Sequence, residues 1–191
     1  RIWENPHYAV VLGRSGREEQ EVQRAACLAE QVPILRRPSG GGTVVIGPGC
    51  LNFSLALDLE GRPELWAIEA SYGLLLGALR RSLRLEGLEV SASDLLWHGR
   101  KVSGTAQRRS RSRILLHGTL LYDFDLALIP RLLREPSRQP AHRQGRKHDD
   151  FVGNLPLGRK ELVARLSALV KNGALLTAPR EPVLSHGTHS R

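Results

Sequence analysis

The stretch Ser93-Asp94-Leu95-Leu96-Trp97-His98-Gly99-Arg100-Lys101-Val102-Ser103-Gly104-Thr105-Ala106-Gln107 decides the architecture. Two runs, Asp94 to Trp97 and Lys101 to Gln107, flank the turn residues His98-Gly99 and predict a β-hairpin. A strongly basic connection, Arg108-Arg109-Ser110-Arg111-Ser112-Arg113, then leads into another strand from Ile114 to Leu121. Upstream, Tyr8 to Leu12, Ile34 to Arg37 and Thr43 to Ile46 read as short strands, and Phe53, Leu55 and Leu57 alternate with polar or small neighbours. Helices fall singly between these pairs. Ser15 followed by Glu18 is a capping-box signature that predicts a helix through about Gln31, with Val22, Ala25, Ala26, Leu28 and Ala29 on its apolar face. From Pro63 to about Leu85 the apolar residues Leu65, Ile68, Leu75, Leu76, Leu79 and Leu83 recur at helical spacing, giving the longest helix. Leu126 to Arg134 reads as a short helix, and Glu135 to Lys147, rich in Pro, Arg and Gln, as a mobile loop. A last amphipathic helix carries Leu162, Val163, Leu166, Leu169 and Val170, with Gly173 as its C-cap. The pattern predicts an α+β fold, a mixed and mostly antiparallel sheet flanked by helices, and not a doubly wound one.

Length and composition set the limits. The 191 residues, 41% of them hydrophobic, make one domain with a real core: residues 1–173 as the folded unit and 174–191 as a disordered tail. The apolar run Gly73 to Leu79 meets Arg80 and Arg81 long before the ~18 residues a membrane span needs, so a soluble protein is expected. Cys27 and Cys50 are the only cysteines and show no metal-ligand spacing, which fits a reducing cytoplasm. A chain with no Met that opens on Arg1-Ile2-Trp3-Glu4 is expected to lack an N-terminal piece. The net charge of +9 favours polyanions or an acidic protein as partner. The basic segments Arg108 to Arg113 and Arg131 to Lys147 lack interleaved aromatics, so solvated loops are the better reading than a nucleic-acid surface.

Three short features carry chemistry. In Arg36-Arg37-Pro38-Ser39-Gly40-Gly41-Gly42-Thr43 the glycines let a ligand approach the backbone, and N–H groups beside Arg37 can hold a phosphate or carboxylate; a flexible surface turn is the bland alternative. Lys101, just after a tight turn and before small residues, could reach a phosphate and a developing oxyanion, or could be an exposed strand lysine. Asp94 is either a metal-facing carboxylate or a surface residue. In Leu116-His117-Gly118-Thr119-Leu120-Leu121, a His and a Gly interrupt an apolar strand and suggest a backbone approached by something else.

Taken in this order, RRPSGGGT, SDLLWHGRKVSGTAQR and LLHGTLL closely resemble the lipoate-protein ligase family, relatives of the biotin-protein ligases. The resemblance runs from Arg1 to about Leu128, with a weaker echo in His148-Asp149-Asp150-Phe151-Val152-Gly153-Asn154-Leu155. It implies a mixed sheet with a second small sheet, enclosing a tunnel for an acyl chain. It also implies activation of lipoate by ATP as lipoyl-AMP and transfer of the acyl group to a lysine of an apo lipoyl domain. Carried over to this chain, Arg37 and Gly42, Thr43, Val44 and Val45 would contact the nucleotide or acyl-adenylate. Lys101 would contact both the acyl carbonyl and the phosphate as the catalytic residue, and Asp94 would hold Mg2+. Ser39, Gly40, Gly41, Ala106, His117 and Gly118 would complete the site. The implied acceptors are acidic apo lipoyl domains or H-like proteins of glycine cleavage, with neither nucleic acid nor membrane as partner.

The departures are specific. Ile46 stands where such ligases commonly have His, Cys50 where Asn is frequent, and Ser93 where an Asn precedes the Asp. Octanoyl transferases with the same loop and lysine use a cysteine shortly before the hairpin, and Glu86 to Ser93 has none; Cys50 reads as a small buried hydrophobe. Only about 60 residues follow the core, too few for an accessory domain, so a separate small subunit could supply one. Octanoate in place of lipoate, a carrier-bound donor, or a non-catalytic lipoate-binding role remain as alternatives.

Overall fold

A computed structural model describes residues 1–136 and 139–171. Six strands form one antiparallel sheet: β1 (Ile2–Glu4), β5 (Cys50–Asp58), β6 (Leu88–Ser91), β7 (Asp94–Trp97), β8 (Arg100–Arg109) and β9 (Arg113–Leu121), ordered β1-β5-β9-β8-β7-β6. A second sheet of three strands, β3 (Ile34–Arg36), β2 (Ala9–Leu12) and β4 (Val44–Ile46), pairs β2 parallel to β3 and antiparallel to β4. The mixed, mostly antiparallel α+β expectation is therefore met.

The β7–β8 hairpin turns where expected. His98 (φ 48°) and Gly99 (φ 74°) both take positive φ, as the tight two-residue turn that matches strand twist requires. Its register then shifts: Leu95 pairs with Ser103 but Leu96 with Lys101, leaving Val102 as an extra residue on β8. Such a bulge bends a strand and re-aims its side chains, and it falls immediately after Lys101.

One face of the large sheet is covered by α3 (Ile68–Leu83) and α6 (Arg159–Lys171). Leu75, Leu76, Leu79 and Leu83 of α3 and Leu162, Leu166 and Leu169 of α6 pack on Leu51, Leu95, Ile114 and Leu120. Each fully buried Leu of this layer contributes about 1.5–3 kcal/mol of transfer free energy. A separate apolar cluster joins the small sheet to α4 (Leu128–Leu132) and α5 (His148–Phe151) through Val10, Val45, Cys50, Leu121, Ile129 and Phe151. Cys50 is fully buried in it, as expected of a small hydrophobe, and burial pushes its thiol up to about 12. Among the described residues no helix is long and apolar enough to cross a membrane.

Several elements differ from the sequence reading. The helix expected through Gln31 is two short ones, α1 (Glu18–Glu21) and α2 (Arg24–Ala29), and Ser15 caps neither. Val22 breaks the run because it is extended to bridge Leu133, while Gln23 donates to the Leu132 carbonyl and Arg134 to that of Glu21, so tertiary pairing overrides local helix preference. Its buried side chains are Val22 and Cys27, whereas Leu28 is exposed. The long helix opens as a separate 3-10 turn, Pro63–Leu65, before α3 begins at Ile68. The short edge strands β1 and β6 carry no alternation long enough to signal them in the sequence. The described part of the Glu135–Lys147 segment is docked and not loose, with a 3-10 turn at Ala141–Arg143. Gly173 and the tail from Thr177 lie outside the described residues.

Candidate functional site

The glycine loop between β3 and β4 is shaped by Arg37. Its guanidinium donates to the carbonyls of Val11 (3.1 Å), Gly40 (3.2 and 2.8 Å) and Gly42 (2.8 Å). Burial lowers its pKa from the ordinary arginine value, partly offset by the charge of Glu21. On the far side of the loop, Ser39 is buried with its hydroxyl 2.6 Å from His117 Nε2 on β9. Burial first and the positive charge of Arg37 second lower the His117 pKa, so the ring is neutral at pH 7 and shares one proton with the Ser39 hydroxyl across this contact. The loop is thus pinned to the large sheet at Ser39. Thr43 at its end donates to Glu21 Oε2 at 2.5 Å.

Lys101 projects from β8 toward Asp94 at the start of β7. Its Nζ lies 2.9 Å from Asp94 Oδ1, and His142 Nε2 lies 3.0 Å from Asp94 Oδ2. Asp94 is 4% exposed, so both of its oxygens need partners and have them. Gly104 makes room for the lysine: a Cβ there would stand 3.1 Å from Lys101 Cε and 3.2 Å from Nζ. Gly118 answers a different need. Its missing Cβ would fall 2.6 Å from Thr105 Cγ2 and 2.8 Å from the Gly104 carbonyl, so what approaches this glycine is the neighbouring strand.

Two cavities meet at this lysine. One, of about 290 Å³, runs from Thr43, Val44 and Val45 to Ile129, Leu133 and Phe151, with Arg134 and Arg143 adding positive charge and His148, whose pKa burial lowers, adding a neutral ring. The other, of about 300 Å³, is lined by Arg37, Gly41, Ala106, His117, Gly118, Trp3 and Asn52. Gly42, Thr43, Val44, Asp94, Lys101 and Gly104 belong to both.

These cavities gather Arg37, Gly41, Gly42, Thr43, Val44, Val45, Asp94, Lys101, Ala106, His117 and Gly118 from the residues singled out in the sequence. Ser39 and Gly40 line neither: Ser39 acts from behind the loop, and Gly40 presents its carbonyl to Arg37. Sequence reasoning missed Glu21, Ser103, His142, Arg143 and His148. His148 and Phe151 fall in the weaker stretch of resemblance, which was the available signal. Ser103 has a buried hydroxyl with no hydrogen-bond partner among the described residues, on the wall of the first cavity.

Among the described residues no three His, Cys, Asp or Glu side chains converge as a metal cage. Asp94 is the carboxylate shared by both cavities. It fits magnesium only in the mode where one carboxylate is supplemented by phosphate oxygens and water.

A family model, lipoyl protein ligase A/B catalytic domain, matches residues 1–165. The chain belongs to this family. A relative from Mycoplasma genitalium, named for lipoate-protein ligase A, is 31% identical over 132 residues, covering 69% of this chain and 39% of that protein. The chain spans less than half the length of the curated relatives it matches. Among solved structures, a bi-partite lipoate protein ligase from Thermoplasma acidophilum, described with its E2 lipoyl domain, aligns at TM-score 0.74 and 22% identity over 90% of this chain and 69% of that one. A lipoate-protein ligase A bound with ATP aligns at TM-score 0.71 and 22% identity, over 90% of this chain and 70% of the other. At these identities the likeness is one of fold.

Proposed function

We propose that the chain is the catalytic core of a lipoate-protein ligase, forming lipoyl-AMP from lipoate and ATP and transferring the lipoyl group to a lysine of an apo lipoyl domain. The observation that carries this reading is the meeting of two cavities at Lys101. The cavity with Arg134, Arg143 and His148 around apolar plates suits a nucleotide, and the cavity between Arg37 and His117 suits the acyl chain and its carboxylate.

In the first step a carboxylate oxygen attacks the α-phosphorus and pyrophosphate leaves. Two anions must approach, and the ammonium of Lys101 at the junction lowers their repulsion. Magnesium held through Asp94 and the phosphates would add Lewis-acid charge. In the second step the amine of the acceptor lysine attacks the acyl carbonyl, its proton is lost and AMP leaves. Lys101 stabilises the oxyanion, and the glycine loop, held in shape by Arg37, keeps the backbone close without Cβ atoms intruding. The net charge of +9 supports an acidic acceptor, such as a lipoyl domain or an H-like protein, by steering its approach. Two buried free thiols suit a reducing cytoplasm.

The bi-partite nature of the Thermoplasma acidophilum ligase favours a second arrangement, in which activation needs a separate small subunit. Intact-mass analysis of an apo lipoyl domain, with lipoate or octanoate and Mg-ATP, and separately with preformed lipoyl-AMP, decides. An ATP-dependent lipoyl adduct that Lys101→Ala abolishes establishes the ligase. An adduct from lipoyl-AMP alone assigns activation to a partner, and none from either refutes the proposal. Use of a cysteine as acyl nucleophile is disfavoured by Cys50, buried and protonated with its pKa at about 12.

A further inference from the structure

We infer that His142, delivered by the basic segment after α4, is a positioning residue for Lys101. The inference rests on the proposed reading of Lys101 as the group that meets the acyl carbonyl and the phosphate.

A buried carboxylate keeps its charge only if both oxygens are satisfied. Lys101 takes Oδ1 of Asp94 and His142 takes Oδ2. With Oδ2 occupied, the ammonium is not drawn across both oxygens. It spends one of its three N–H donors on Asp94 and keeps two for ligand oxygens where the cavities meet. Without His142, the same carboxylate would compete with the ligand for those two donors.

His142 is itself held firmly. Its ring lies 5.7 Å from that of Phe151, and its carbonyl accepts from Arg146 Nη2 at 2.8 Å. Arg146 Nη1 donates to the Gly99 carbonyl at 2.9 Å, in the turn of the hairpin that carries Lys101. Arg100 of that hairpin donates in return to the Val152 carbonyl at 2.7 and 3.0 Å. The segment and the hairpin are therefore one unit, and the distance from His142 to Asp94 is set by the same contacts that set Lys101.

The test uses the full chain, preformed lipoyl-AMP and an apo lipoyl domain, with His142→Ala and His142→Gln. The glutamine amide can donate to Asp94 Oδ2 as a histidine N–H does. In His142→Ala, kcat falls about tenfold with KM for lipoyl-AMP within about twofold, and His142→Gln recovers to within about threefold of the original rate. A readout independent of turnover is the rate at which an amine-reactive ester labels Lys101, followed by peptide mass: it slows in the alanine variant and returns in the glutamine variant. Unchanged kcat in His142→Ala overturns the inference, and so does a fall in kcat without any change in labelling. A loss that glutamine does not restore assigns His142 to the fold alone and also overturns it. An original chain that transfers nothing overturns the reading of Lys101 and this inference with it, a result separable from the others because it precedes any substitution.

Discussion

Arg37→Lys separates two roles that a sequence motif cannot distinguish. As a phosphate contact, Arg37 would tolerate lysine, itself a common phosphate binder, with stability unchanged. The structure instead fastens its guanidinium to three backbone carbonyls, those of Val11, Gly40 and Gly42, through four hydrogen bonds. A lysine ammonium is a point donor on a flexible stem and can retain one of those carbonyls, not the fan of three. Two carbonyl partners are then lost, each a charge-assisted bond worth about 1.5 kcal/mol net, so the expected cost is about 3 kcal/mol. For a chain of this size, about 2–4 °C per kcal/mol converts that to a midpoint lower by about 6–12 °C. Thermal unfolding followed by circular dichroism reads it directly. A midpoint within about 2 °C of the original would show that the loop does not depend on the fork, and the loop-organising role of Arg37 would fall.

Three further outcomes are expected. Lys101→Ala lowers acyl transfer about 100-fold or more, and Lys101→Arg does not rescue it, because a planar guanidinium spreads its charge where a compact ammonium concentrates it; single-turnover transfer from lipoyl-AMP measures both. Ser103→Ala removes a buried hydroxyl that has no partner among the described residues, so stability stays level or rises by up to about 1 kcal/mol while ATP affinity falls about three- to tenfold; equal affinity by calorimetry would show that the hydroxyl does not face the ligand. Burial lowers the pKa of both His117 and His148 below the ordinary 6.5. Above 6.5 neither state binds a proton there. Below it the unfolded chain takes up protons that the native rings refuse, and stability falls as pH drops through that value toward the folded-state pKa values. Urea midpoints at pH 7.5 and 5.5 check this, and His117→Gln should flatten the decline.

The hairpin and the strand after it were legible because period-two alternation and His98-Gly99 are local signals. Lys101, Asp94 and the glycine loop were legible because their motifs are contiguous. His142 was not: it comes from a stretch of Pro, Arg and Gln whose order depends on Phe151 nearby and on Gly99 and Asp94, both more than 40 positions away. The role of Arg37 was half legible, since a motif shows that a cation is present and not which oxygens it faces. Glu21 was hidden behind a capping-box pattern that tertiary pairing of Val22 with Leu133 overrode.

That pairing also governs the order of assembly during synthesis. Arg134 donates to the Val22 carbonyl across 112 positions, beside the Val22–Leu133 bridge. A chain leaves the ribosome N-terminus first, at about 5–20 residues per second, so the small sheet and its glycine loop are exposed well before α4 arrives to hold the segment that carries Glu21. For those seconds Val22 and Cys27 have no cover from α4, and the loop lacks the Ser39–His117 tether. The small sheet therefore stays open on its α4 side until the residues around Leu133 have emerged, and ligand can gain its full site only after the strand bearing His117 and the helix beyond it are out.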